Sequence, residues 1–88
     1  MDMTTLDGNA AGGILREVFP FEMTLAEATC AYCSTSRTVG ELIVYKSAMG
    51  TVMRCPSCEQ VLMRIVSTKG RYWLDMQGVH VLQIRTAP

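Results

Sequence analysis

Cys30-Ala31-Tyr32-Cys33 and Cys55-Pro56-Ser57-Cys58 stand 21 residues apart and contain every cysteine of the chain. A two-residue spacer lets one tight turn present two sulfurs to the same point. Two such turns supply the four thiolates that a tetrahedral Zn²⁺ takes at about 2.3 Å. The interval between the pairs is only slightly longer than the usual limit of about 20 residues for tetrathiolate sites. Cys30, Cys33, Cys55 and Cys58 therefore read as the ligands of one metal ion. With the turns at the tips of hairpins, the pattern predicts a zinc ribbon. Four thiolates fill the coordination sphere, so a bound zinc keeps no position for water and metal-assisted hydrolysis is not expected. No residue is assigned a catalytic role.

The sequence around the site adds three expectations. Four thiolates and one Zn²⁺ leave about −2 of charge, which makes Arg37 and Arg54 candidates to compensate it; as solvated charges at strand ends they need no such role. Pro56 fixes φ in the second turn. The glycine that often follows the second cysteine of such a turn is replaced by Ser34 and Glu59. Either the turns are distorted, or packing carries the cost of a left-handed residue there.

Iron competes for the same sulfurs, since a tetrahedral S₄ set suits both metals. The Cys-x-x-Cys and Cys-Pro-x-Cys pairs also resemble those of rubredoxins, which carry one electron on iron. The chain lacks a glycine and an aromatic after the first pair, and it is balanced rather than acidic, with 8 Lys+Arg against 8 Asp+Glu. Zinc is the expected metal and an Fe(Cys)₄ electron carrier the alternative. The balanced charge also gives no general attraction to a phosphate backbone or an anionic membrane. Locally, Arg54, Arg64, Lys69 and Arg71 around Tyr72 and Trp73 can form a nucleic-acid-binding patch. The competing interpretation is a hairpin tip with one core aromatic.

At 88 residues the chain is one domain, small enough that a metal helps make up for a limited core. Met1-Asp2-Met3-Thr4-Thr5 shows neither the basic nor the apolar region of a secretory leader, and no apolar run approaches the ~20 residues of a membrane span. A cytoplasmic location is expected, where paired cysteines favour metal over disulfides. Thioredoxin-like chemistry wants a single Cys-x-x-Cys at a helix start, whereas both pairs here are flanked by strand-like sequence.

The texture of the chain changes near Cys30, dividing it into residues 1–29 and a ribbon over 30–88. In the first part Leu6, Ala10, Ile14 and Val18 recur every four residues. This spacing predicts a helix capped by Asp7 or Asn9 and ended by Pro20. Gly8, Gly12 and Gly13 weaken such a helix, each by about 0.5–1 kcal/mol relative to alanine, so it must be held by packing. It either covers its own sheet or docks on a partner through Leu6, Ala10, Gly13 and Ile14. Residues 20–29 read as a connector, with Thr24 and Glu27 resembling a capping box. Phe19, Phe21 and Met23 form an apolar knot, and Met23, Met49, Met53, Met63 and Met76 read as core filling.

From Cys30 on the period becomes two. Residues 41–46 and 51–54 form a hairpin, 60–67 and 72–76 a second one around Thr68-Lys69-Gly70-Arg71, and 79–85 a last strand with His80, Leu82 and Ile84 on one face. His80, the single histidine, reads as a packed or surface residue.

Leu6-Asp7-Gly8-Asn9-Ala10-Ala11-Gly12, Leu15-x-Glu17-Val18-Phe19, Met23-Thr24, Arg54-Cys55-Pro56-x-Cys58 and Val61-Leu62-Met63 together resemble a group of small bacterial zinc-ribbon proteins known only as a domain of unknown function. The resemblance covers nearly the whole chain. It implies a metal-bound, mostly-β, rubredoxin-like zinc ribbon of short antiparallel hairpins with one N-terminal helix. It also suggests an accessory role beside a molybdopterin oxidoreductase or a flavin-dependent ferredoxin reductase. The sequence thus predicts a non-enzymatic structural-zinc module that docks on a protein partner.

Overall fold

Apolar and polar residues alternate through most of the chain after Cys30, and in the computed structural model these stretches pair as antiparallel strands. The structure describes residues 4–86; residues 1–3, on which the expectation for the N-terminus partly rests, and residues 87–88 lie outside the described part. Its strands are β1 (Thr4–Asp7), β2 (Glu27–Cys30), β3 (Ser36–Thr38), β4 (Ile43–Ser47), β5 (Gly50–Arg54), β6 (Val61–Thr68), β7 (Arg71–Asp75) and β8 (Val79–Gln83). They form a five-stranded sheet of order β1-β4-β5-β6-β7 and a three-stranded sheet of order β3-β2-β8. One α-helix, α1 (Gly12–Val18), lies near the N-terminus. This small, mostly-β arrangement, with four cysteines close together, is compatible with a zinc-ribbon-like fold. Among the described residues no helix is long and apolar enough to cross a membrane.

The N-terminal part differs from the helix its spacing predicts. Leu6 belongs to β1 and stands opposite Val44 of β4. A 3-10 turn over Gly8–Ala11 follows, with the Asp7 carboxylate accepting from the Asn9 N–H at 3.1 Å, and only then does α1 begin. Asp7 caps this turn rather than α1, which begins after Ala11 with no side-chain cap, and the stop at Val18 is where the sequence put it. The start is not, because Gly8 lets the backbone approach closer than any other residue can. A Cβ there would sit 1.7 Å from the Val39 carbonyl oxygen, at the start of a later 3-10 turn, Val39–Glu41. Strand pairing and this contact outweigh a weak, glycine-rich helical tendency.

Residues 20–29 are not merely a connector. Met23–Leu25 forms a 3-10 turn and Glu27–Cys30 is the central strand of the smaller sheet. The Thr24 hydroxyl donates to Glu22 at 2.6 Å rather than forming a box with Glu27. The box lies instead at Thr38-Val39-Gly40-Glu41, where the Glu41 carboxylate accepts from the Thr38 N–H at 3.1 Å.

One core joins the two sheets and the helix. Ala28 and Cys30 from β2, Val44, Met53, Met63 and Ile65 from the larger sheet, and Leu15 of α1 are all buried in it. Met23 joins them, but Met49 is 81% exposed and Phe21 is 41% exposed, so neither fills the core. The expected alternation in β8 is also broken. Thr29 pairs with Val81 and Cys30 with Val79, so His80 is an extra residue on β8, and Val79 and Leu82 both pack on the core.

Candidate metal centre

Each cysteine pair sits where a strand enters a tight turn and returns as its antiparallel neighbour. The β2–β3 hairpin carries Cys30 and Cys33; the β5–β6 hairpin carries Cys55 and Cys58. In both turns the first cysteine makes the same pair of backbone bonds. Cys30 N–H donates to Thr35 O at 2.9 Å and Cys30 O accepts from Ser34 N–H at 2.9 Å, while Cys55 N–H donates to Gln60 O at 2.9 Å and Cys55 O accepts from Glu59 N–H at 2.8 Å. The second bond of each pair requires a left-handed residue. Ser34 has φ 65° and Glu59 φ 67°, so the turns are not distorted by the missing glycines. The strain of about 1–2 kcal/mol per residue is held by the surrounding structure.

Both turns are also entered through an irregularity. The register shifts between Thr29 and Cys30 against β8, and between Met53 and Arg54 against β6. The extra residues are His80 on β8 and Leu62 on β6, so it is these partner strands that bend and twist beside the knuckles.

The four sulfurs lie within 4.8 Å of one another. Cys30 Sγ is 3.6 Å from Cys58 Sγ, and Cys33 Sγ is 3.6 Å from Cys55 Sγ. The edge of a tetrahedron with metal–sulfur bonds of about 2.3 Å is about 3.8 Å, so these separations fit a shared ion. Backbone N–H groups point at the sulfurs. Tyr32 and Cys33 donate to Cys30 Sγ at 3.3 and 3.4 Å, and Ser57 donates to Cys55 Sγ at 3.4 Å. Such bonds stabilise a ligating thiolate. Cys30 and Cys55 are buried, Cys58 is half-buried and Cys33 is exposed.

The electrostatics of the cluster favour a cation. The Thr35 hydroxyl and backbone beside it lower the Cys33 thiol to about 6. At Cys58 the Gln60 N–H favours the thiolate, but burial and the sulfurs of Cys30, Cys33 and Cys55 prevail and push it up to about 12. Thr35 favours the Cys33 thiolate while burial and the neighbouring sulfurs hold the proton on Cys58, so the cluster by itself does not supply four thiolates. A divalent ion removes that conflict. The donor set and spacing therefore fit a metal ion held by all four cysteines.

Both predicted arginines reach the second turn. The Arg54 guanidinium donates to the carbonyl of the left-handed Glu59 at 2.8 Å and lies 5.4 Å from the centre of the Tyr45 ring. Arg37, on β3, donates to the Ser57 hydroxyl at 3.4 Å and so ties the first hairpin to the second knuckle. The proposed docking residues are placed less uniformly. Leu6 and Ile14 pack against the core, Ala10 is half-buried and Gly13 alone is exposed. Two of the four thus face their own domain. Tyr72 and Trp73 are exposed, 42% and 57%, so neither is the core aromatic of a hairpin tip. His80 is exposed on β8.

A family model described as a family of unknown function matches residues 2–87. The chain belongs to that family, DUF6510. This is the membership implied by the motifs from Leu6 to Met63. No match to a curated protein or to a solved structure was found.

Two residues around the centre escaped the sequence. Thr35 places its hydroxyl 3.3 Å from Cys33 Sγ, and the Ser34-Thr35-Ser36 run gave no sign of which hydroxyl would do so. Gly78 connects the sheets: its carbonyl accepts from Ala31 N–H at 2.8 Å and its N–H donates to Leu62 O at 3.2 Å. A Cβ on it would lie 2.1 Å from the Val61 carbonyl oxygen, so the approach needs glycine. In sequence it is one residue of the short gap between the strands read at 72–76 and 79–85, with nothing local to mark it as a joint.

Proposed function

We propose that Cys30, Cys33, Cys55 and Cys58 hold one zinc ion as a structural clamp, in a cytoplasmic, non-enzymatic module that works by docking on a protein partner. One observation carries this reading: hairpin tips from two different sheets bring exactly the residues of a closed tetrathiolate shell within 4.8 Å of one another. A filled shell leaves no position for substrate or water, so the ion contributes to folding rather than to a reaction. The exposed apolar side chains of β7 support a docking role. The family resemblance, with its link to a molybdopterin or flavin oxidoreductase, supports a setting in a redox assembly.

Metal analysis with an optical spectrum tests the clamp on protein produced with both iron and zinc in the medium. The expected product is colourless and carries one zinc per chain. A red form that bleaches reversibly on reduction overturns the clamp in favour of an iron electron carrier.

A further inference from the structure

β7 ends the five-stranded sheet and pairs with β6 on one side only. Its three middle residues, Tyr72, Trp73 and Leu74, are large, apolar and 42%, 57% and 42% exposed. Proteins guard such edges with a proline, a bulge or a central charge. The middle of β7 has none of these, and its register with β6 runs without a shift from Arg71 to Asp75.

The backbone of this edge is arranged to accept another strand. The two-residue turn Lys69-Gly70 makes Thr68 and Arg71 the closing hydrogen-bonded pair of the hairpin. Alternation along the ladder then directs the N–H and C=O of Trp73 toward β6 and leaves those of Tyr72 and Leu74 facing outward.

We propose that β7 pairs with β7 of a second copy of this chain, antiparallel about a two-fold axis at Trp73, joining two five-stranded sheets into one. In this register Tyr72 meets the partner's Leu74 and the two exchange both backbone hydrogen bonds, twice over by symmetry. Trp73 meets the partner's Trp73 on the outer face. Arg71 meets the partner's Asp75. The sequence Arg71-Tyr72-Trp73-Leu74-Asp75 is thus complementary to itself when reversed. Among the described residues Arg71 has no ion pair, while Asp75 already binds Arg64 at 3.3 Å and would lie between two guanidinium groups. Two-fold registers centred on Tyr72 or Leu74 place only two interchain backbone bonds within Arg71–Asp75, against four here, and take Arg71 and Asp75 out of opposition, so backbone and charge together select the register at Trp73. The pairing names the partner for the protein-docking reading and rests on it. It makes no demand on which metal the cysteines hold.

Sedimentation of the metal-loaded chain from micromolar to millimolar concentration tests the pairing. The wild type is expected to pass from monomer to dimer. Arg71→Asp and Asp75→Arg each place like charges opposite one another twice, and each is expected to weaken association by about tenfold or more. Mixing the two variants restores opposite charges at both positions and is expected to restore a heterodimer. Leu74→Pro removes an outward N–H without taking one from the β6 ladder, and is expected to give a folded monomer. A wild type that stays monomeric throughout overturns the pairing while leaving the metal result intact. So does a dimer that survives Leu74→Pro, or a monomer that binds an oligothymidylate with a steep salt dependence lost in Trp73→Ala, which assigns this edge to nucleic acid.

Discussion

Ser34 and Glu59 show what a residue can conceal. Their positions after Cys33 and Cys58 were legible as sites where the backbone should turn left-handed, but not whether it would. Both do, at φ 65° and 67°, and the Arg54 bond to the Glu59 carbonyl helps to hold one of them. Relief of left-handed strain, less the extra freedom glycine gives the unfolded chain, predicts that Ser34→Gly and Glu59→Gly each stabilise the metal-loaded protein by about 0.5–1 kcal/mol. Denaturant unfolding at fixed metal concentration measures this; a loss of stability in both variants would show that the side chains themselves hold the turns. The pairing of the cysteines into one cluster was legible at this scale, since residue type and spacing are local. Their unequal exposure, from buried Cys30 and Cys55 to exposed Cys33, was not, because it depends on which hairpin packs inward.

Among the elements, hairpins with clear turn chemistry were read within a residue or two of their bounds. The β4–β5 and β6–β7 pairs lie where alternating residues flank Ser47-Ala48-Met49-Gly50 and Thr68-Lys69-Gly70-Arg71. β1, β2 and β3 were missed. Each is four residues or shorter, too brief to establish a period, and each pairs with a strand that is not its neighbour in sequence or lies across a metal turn. The contact between α1 and β7 belongs to this scale as well. The Tyr72 hydroxyl donates to Glu17 at 2.7 Å, and this bond to a carboxylate holds the phenol above its ordinary value of 10.0. The raised value means that the folded state keeps the proton more tightly. Its contribution is full below about pH 10 and is lost as pH rises through the folded value. Comparing wild type with Tyr72→Phe across this range should therefore show a difference in stability at neutral pH that shrinks in alkali. A difference independent of pH would mean that the bond is not formed in solution.

At the scale of the whole molecule, the cysteine cluster brings together two sheets that also meet through a shared core, the backbone bonds of Gly78 and the Arg37–Ser57 bond. A chelator that strips the ion is expected to unfold the knuckles and to expose the amides of β2 and of the knuckle ends of β5 and β6 to rapid hydrogen exchange, with β4 and β7 less affected because neither strand leads into a knuckle. Cys55→Ser should reproduce this and lower the melting temperature sharply, since its sulfur is buried beside the core. A variant that melts like the wild type would show that the core suffices without the clamp.

The sequence by itself determined which four cysteines come together, the two knuckles and the hairpins with strong turns. These depend on spacings of a few residues and on backbone preferences that act locally. Only the tertiary structure decided that Leu6 lies in a strand, that His80 is the extra residue of β8, that Gly78 joins the sheets, and that β7 is left as an open apolar edge. Each of these depends on a partner distant in the chain, and distant partners are chosen by burial and by the completion of backbone hydrogen bonds rather than by any local pattern.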